Sequence, residues 1–260
     1  MDAKKPQSTD EYCVWLTTEH GCGPMLRIRS YYESVAQKIK SDIEKSAFWR
    51  DLTANLREYN DQYLIQTAFP LLMGDGTLEL LVKPFDSFLS KTLRKNVTQN
   101  SNWPNPPDGG WILPENWFSR INDIVRTLFV VKYLDGVLFM VEKLKAYCGD
   151  CKVQCLDYLE AREEGYYAAH VYARQTVEIP RITWDTETAQ VSVELQITTQ
   201  LQETIRRLLH KYYEQRRKQP TEGDMKWQWD FRNDEFAANY LGHILHYVEG
   251  MIMEIREKQK

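Results

Sequence analysis

At 260 residues, with 27% charged and 43% hydrophobic side chains and a formal net charge of -4, the chain is long enough for one well-filled core and has the composition of a soluble globular protein. The acidic balance argues against wholesale polyanion binding but leaves room for a local basic patch, and no apolar run reaches the roughly 18 residues of a membrane span. The polar first ten residues carry no signal-peptide core, so a cytoplasmic protein without a membrane partner is expected.

In chain order, residues 1–24 are expected to be a flexible tail, and residues 25–76 a helical region. Within the latter, Tyr32, Val35, Ile39 and Ile43 repeat at helical spacing, and Phe48, Leu52 and Leu56 continue the stripe. Gly74, Asp75 and Gly76 form a turn signal. Residues 77–218 are expected to form the core. It opens with a short basic helix over residues 87–95, N-capped by Asp86, followed by a loop rich in Pro, Gly, Asn and Trp over residues 100–114. Residues 124–133 are apolar and β-branched, as for a central strand buried on both faces. A helix over 137–147, strands over 153–160 and 166–177 and a strand over 191–198 follow.

The next helix places Leu201, Ile205, Leu208, Leu209 and Tyr212 on one side and Arg206, Arg207, His210 and Lys211 on the other. Residues 219–260 are a helical extension whose stripe of Phe236, Tyr240, Ile244, Val248, Met251 and Ile255 is expected to pack on the sheet. Self-association through that stripe is the alternative, and a neutralising protein partner is a separate candidate for the chain. This order predicts an α+β fold, a mixed sheet of about five strands flanked by helices.

Several side chains on these elements can carry chemistry. Alternation puts Val191, Val193, Leu195 and Ile197 on one face of the last strand and Ser192, Glu194, Gln196 and Thr198 on the other. This leaves a carboxylate and an amide held on a rigid element, on the wet side of the strand and facing a cleft. Such a carboxylate can bind a metal or orient a hydroxyl. Period two likewise aligns Tyr166, His170 and Tyr172, with Ala168 as a gap, which suits either a base-stacking platform or an aromatic cross-strand pair. Asp123 stands at the mouth of the 124–133 strand. The five cysteines (13, 22, 148, 151 and 155) are an odd set. Cys148, Cys151 and Cys155 have metal-like spacing but no nearby His, so reduced, partly buried thiols are expected. Asn96-Val97-Thr98 matches a glycosylation sequon, but without a secretory signal it implies no modification.

Taken together, these segments resemble a known family. The segment opened by Asn122-Asp123, the segment Gly165-Tyr166-Tyr167-Ala168-Ala169-His170, and Val193-Glu194-Leu195-Gln196-Ile197-Thr198-Thr199 followed by His210-Lys211 are similar to the ordered motifs of the RelA/SpoT synthetase domain. The resemblance spans residues 77–218 and implies a nucleotidyltransferase-like synthetase fold. It also implies transfer of pyrophosphate from ATP to the 3′-hydroxyl of a guanosine nucleotide, giving a (p)ppGpp-type alarmone.

The resemblance further implies that Asp123 and Glu194 hold Mg²⁺, with Glu194 also activating the 3′-hydroxyl. Tyr166 would stack on the acceptor base, supported by His170 and Gln196. Lys83, Ser87, Lys91, Arg94 and Lys95 would grip ATP phosphates, with His210 and Lys211 nearby. The chain departs from the family pattern at Arg126, where Gly or Ala is usual, at Leu128, Thr198 and Leu81, where arginines are usual, and at Ala168, where Ser is usual. Lost cations weaken ATP binding or change its geometry unless Arg126 and Arg94 compensate. Two alternatives accompany this reading: a toxic small synthetase that modifies the 3′ end of tRNA, and an inactive nucleotide- or partner-binding module.

Overall fold

The computed structural model describes residues 5–74, 77–183, 185–216 and 226–259, without the side chains of 209–216. Helices α1 (Thr9–His20), α2 (Met25–Lys45) and α3 (Ala47–Thr67) lead into a short strand β1 (Leu81–Val82) and helix α4 (Phe85–Leu93), which continues as a π-helical turn over Arg94–Thr98. After α5 (Trp117–Arg120) come β2 (Val125–Val131), α6 (Leu134–Asp150), β3 (Cys155–Ala161), β4 (Tyr167–Pro180) and β5 (Thr186–Thr199). Helices α7 (Gln200–Arg216) and α8 (Asp234–Lys258) complete the chain, with a 3-10 turn at Trp227–Trp229 between them. The strands form one mixed sheet in the order β1-β2-β5-β4-β3. This is the α+β architecture read from the pattern.

Two compact units divide the chain. Residues 1–50, 80–127 and 172–194 form one; residues 51–79, 128–171 and 195–260 form the other. Strands β2, β4 and β5 each contribute to both, so the units do not follow the sequential blocks drawn along the sequence.

In the first unit, residues 9–20 are an ordered helix, not part of a flexible tail. Ser8 caps α1 by accepting from the Glu11 amide, Gly21 ends it at a φ of 61°, and Tyr12, Trp15 and Leu16 are buried. The α2 stripe packs as expected, burying Ile28, Tyr32, Val35, Ile39 and Ile43. Tyr32 stacks on Phe88 with centroids 4.3 Å apart and donates to the Lys83 carbonyl at 2.7 Å, which seats α4 beside β1. Asp86 is not the cap of α4. Pro84 holds that position, and Asp86 pairs with Arg29 at 2.5 Å. Asn96 of the sequon is fully buried: its amide donates to Tyr12 Oη and the Ile112 carbonyl and accepts from the Ile112 amide.

In the second unit, α8 packs against α6 and α7, but with the opposite side from the one its apolar stripe predicts. Glu235, Ala238, Asn239, Gly242, Glu249 and Arg256 are buried, while Tyr240, Ile244, Met251 and Ile255 are exposed. Small and polar groups win the inner face because a close approach and specific partners await them. A Cβ built on Gly242 would lie 2.4 Å from the Gly165 carbonyl oxygen, so only glycine lets the helix meet that turn. Arg256 lies over the rings of Phe69 and Tyr133 at 4.3 and 4.4 Å and reaches Asp135 at 3.2 Å. The turn signal at residues 74–76 falls partly outside the described residues.

The strands also correct one expectation. Along β2 buried and half-buried positions alternate, whereas β5 from Val191 to Thr199 is buried on both faces except at half-buried Gln196. The strand covered on both sides is therefore β5, and Glu194 lies on a covered face, not a wet one.

Candidate functional site

In the first unit a buried carboxylate is clamped between two lysines. Lys83 sits just past β1, where its amide donates to the Ile124 carbonyl at 2.8 Å and extends the antiparallel pairing of Leu81 with Arg126 and Val82 with Val125. That register brings Lys83 Nζ to 3.0 Å from Asp123 Oδ2. Lys91, on the second turn of α4, reaches Asp123 Oδ1 at 2.9 Å. Burial alone would raise the Asp123 carboxyl, but Lys91 and Lys83 outweigh it and hold the group below its ordinary value. Burial lowers Lys83, with Asp123 opposing, and lowers Lys95, where Lys91 adds repulsion.

Arg126 adds positive potential at Lys83. Ser87 is half-buried on α4, and Arg94 lies exposed at the start of the π-helical turn. Lys83 and Lys91 thus clamp a single carboxylate, with Lys95 and Arg126 adding positive potential beside it. An excess of cations around one acid is an anion-attracting arrangement suited to polyphosphate.

On β5 in the same unit, Glu194 is 5% exposed and its Oε1 accepts from Tyr172 Oη at 3.2 Å. Ser192 donates to Asn122 Oδ1 at 3.2 Å. Tyr172 was placed by strand period on the Tyr166 and His170 face without a role; here it orients the acid.

In the second unit, Gln196 Nε2 donates to Tyr166 Oη. Arg162 from the preceding turn lies 5.2 Å from the Tyr166 ring and bonds Glu160 at 2.6 Å. His170 Nε2 meets Glu160 Oε2 at 2.9 Å, and its ring stacks on Tyr158 at 4.8 Å. Glu160, Arg162 and Tyr158 were not singled out from sequence. The i, i+2 spacing of the first two across the strand end was the available signal. Tyr166 is half-buried, so one ring stays partly accessible in a polar frame that fixes its tilt.

Other expected residues take different roles or fall outside view. Arg206 and Arg207 both pair with Glu203, at 2.5 and 2.6 Å, through i, i+3 and i, i+4 spacing, so neither is an uncommitted cation. The side chains of His210 and Lys211 lie outside the described residues. The Cys148 thiol is raised to about 12 by burial, with Cys155 as its hydrogen-bonded neighbour, and no cluster of three or more metal-ligating side chains exists among the described residues.

No family model matches the chain, and no curated protein matches it in sequence. Its fold, however, has solved counterparts. Small alarmone synthetase 2 from Bacillus subtilis superposes with a TM-score of 0.52 at 16% identity, over 86% of this chain and 97% of that one. Small alarmone synthetase 1 from Bacillus subtilis, bound to its product pppGpp, gives 0.52 at 16% identity over 80% and 91%. A GTP pyrophosphokinase family protein from Streptococcus pneumoniae gives 0.51 at 20% identity over 88% and 91%. The chain has the fold of the small alarmone synthetases.

Proposed function

We propose that the chain is a pyrophosphokinase of the RelA/SpoT type, transferring pyrophosphate from ATP to the 3′-hydroxyl of a guanosine nucleotide. The observation that carries this reading is the Lys83–Asp123–Lys91 clamp. It stands at the position where the family resemblance calls for a metal-binding acid beside phosphate-gripping cations. On arrival of ATP, Lys83 and Lys91 exchange the carboxylate for phosphate oxygens, with Lys95, Arg94 and Arg126 adding charge.

Mg²⁺ fits the donor set, since it is commonly held by one or two carboxylates together with substrate phosphates, and Asp123 and Glu194 are the acids for it. When bound, the ion neutralises charge developing on the transferred group. Glu194, oriented by Tyr172, takes the proton of the 3′-hydroxyl. The freed oxygen attacks the β-phosphorus of ATP, the bond from that phosphorus to the bridging α-oxygen breaks, and AMP leaves. Tyr166, held by Gln196, stacks on the acceptor base, worth about 1–3 kcal/mol where such stacking has been measured.

Transfer of label from γ-labelled ATP tests this reading, with GDP, GTP, ATP or deacylated tRNA as acceptor. Label on GDP or GTP is expected, and its loss in Glu194→Gln with unchanged circular dichroism. Label on tRNA alone would replace the acceptor; no label on any acceptor would favour an inactive module.

A further inference from the structure

Helix α8 carries a buried acid that the proposed reaction does not use. The Glu249 side chain is 4% exposed, and among the described residues its carboxylate has no well-formed hydrogen bond, the Thr199 hydroxyl acting on it only weakly. One base, His246 Nδ1, lies 3.7 Å from it. That ring is stacked flat on Tyr167 at 3.7 Å, and burial lowers its proton affinity, so at neutral pH it supplies no countercharge. Arg256, two turns further on, is engaged with Asp135 and two aromatic rings. Glu249 instead lines a cavity of about 180 Å³, together with Lys132, Tyr133, Leu134, Gln200, Leu201 and Ile252. All of these residues belong to the second unit, whereas the lysine clamp belongs to the first.

An ionised carboxylate is an acceptor only, and a buried one without donors is costly. A ligand with several N–H donors and a short apolar body would satisfy both the acid and the walls formed by Leu134, Leu201 and Ile252. The volume lies below the roughly 300–1,000 Å³ of drug-sized sites, so the occupant is compact and is not a nucleotide. We propose that this cavity binds a small primary ammonium ion, with Glu249 as its counter-ion.

Burial pushes the Glu249 carboxyl up to about 7, against a smaller lowering effect of the Thr199 hydroxyl. The ionised form binds the cation, so affinity rises with pH through the neutral range. The other titratable or charged groups around the acid are His246 on α8 and Lys132 and Tyr133 after β2, with the Asp135–Arg256 pair beyond Tyr133.

Calorimetric titration of the full chain with propylammonium chloride, at matched ionic strength, tests the site. Saturable binding is expected at about pH 8, weakening about tenfold per pH unit once Glu249 is mostly protonated. Binding should vanish in Glu249→Gln, and 1-propanol, the neutral isostere, should not saturate. If Glu249→Gln does not fold, Ile252→Phe fills the cavity while sparing the acid and should also abolish binding. Absence of saturation at pH 8, equal binding of 1-propanol, or unchanged affinity in a folded variant overturns the proposal.

Discussion

Asp123 and Glu249 are both buried carboxylates, 7% and 4% exposed, yet their acidities move in opposite directions. Asp123 has lysine ammonium groups at 2.9 and 3.0 Å and stays below its ordinary value despite burial. Glu249 has a stacked histidine at 3.7 Å and the weak effect of the Thr199 hydroxyl, and rises to about 7. Burial penalises both; what decides the outcome is whether a cation was buried alongside. The paired acid therefore holds a permanent charge at neutral pH, as a phosphate or metal site needs. The lone acid changes charge there.

Substitutions can break or sharpen that contrast. The largest effect is expected from Asp123→Asn, which keeps the shape of the clamp but removes its charge. Pyrophosphate transfer should fall by about 100-fold or more, and a rate within a few-fold of the parent would dissolve the distinction between the two acids. Lys83→Met should come next, since it leaves a buried carboxylate with half its compensation. A loss of about 3 kcal/mol in urea unfolding is expected.

The pH dependence of that variant follows from the sign of the shift. A depressed Asp123 stabilises the fold above its ordinary value of 3.8 and loses that contribution as pH falls through the lower folded value. Removing Lys83 lifts the folded value, so acid unfolding should begin at higher pH.

Gly242→Ala tests the seat of α8. A methyl 2.4 Å from the Gly165 carbonyl must push the helix outward, costing about 2 kcal/mol and returning the Glu249 titration toward 4.5. The last test is Glu249→Gln. A raised folded value means that this group loses stability as pH climbs from 4.5 through about 7. The glutamine variant should lack that slope, so its stability should gain on the parent's as pH rises through the neutral range, read from denaturation at several pH values. An unchanged slope would mean that Glu249 is no more perturbed than a surface acid.

Much of this was legible in the sequence because it follows from periodicity. The α2 stripe, the strand period of β5 and the α6 pattern depend on residues spaced three, four or two apart, and those elements formed where expected, although β5 is covered on both faces. Glu194 lies on β5, while Asp123 and Tyr166 lie just before β2 and β4, Tyr166 one residue outside the strand expected to include it. What escaped depends on contacts distant in sequence. Period alone puts Phe236, Tyr240 and Ile244 inside. The Gly165 turn, the Asp135 carboxylate and the Phe69 and Tyr133 rings instead select the glycine and arginine face of α8. The polar appearance of residues 9–20 hid the Tyr12, Trp15 and Leu16 triad, because α1 has only a narrow buried edge. The Glu203 pairs with Arg206 and Arg207 could have been found, since their i, i+3 and i, i+4 spacing is written in the chain.

The buried amide of Asn96 has a consequence for how the protein can be produced. An oligosaccharide attached to that nitrogen could not coexist with its bonds to Tyr12 and Ile112, so glycan attachment and native packing exclude each other at this position. Expression through a eukaryotic secretory route should yield two populations, a glycosylated chain that fails to mature and an unmodified one that folds. Asn96→Gln would not rescue the yield, because the longer side chain cannot occupy the same closed space. Thr98→Ala removes the acceptor signal while leaving the amide in place, and is the substitution that would restore a single product.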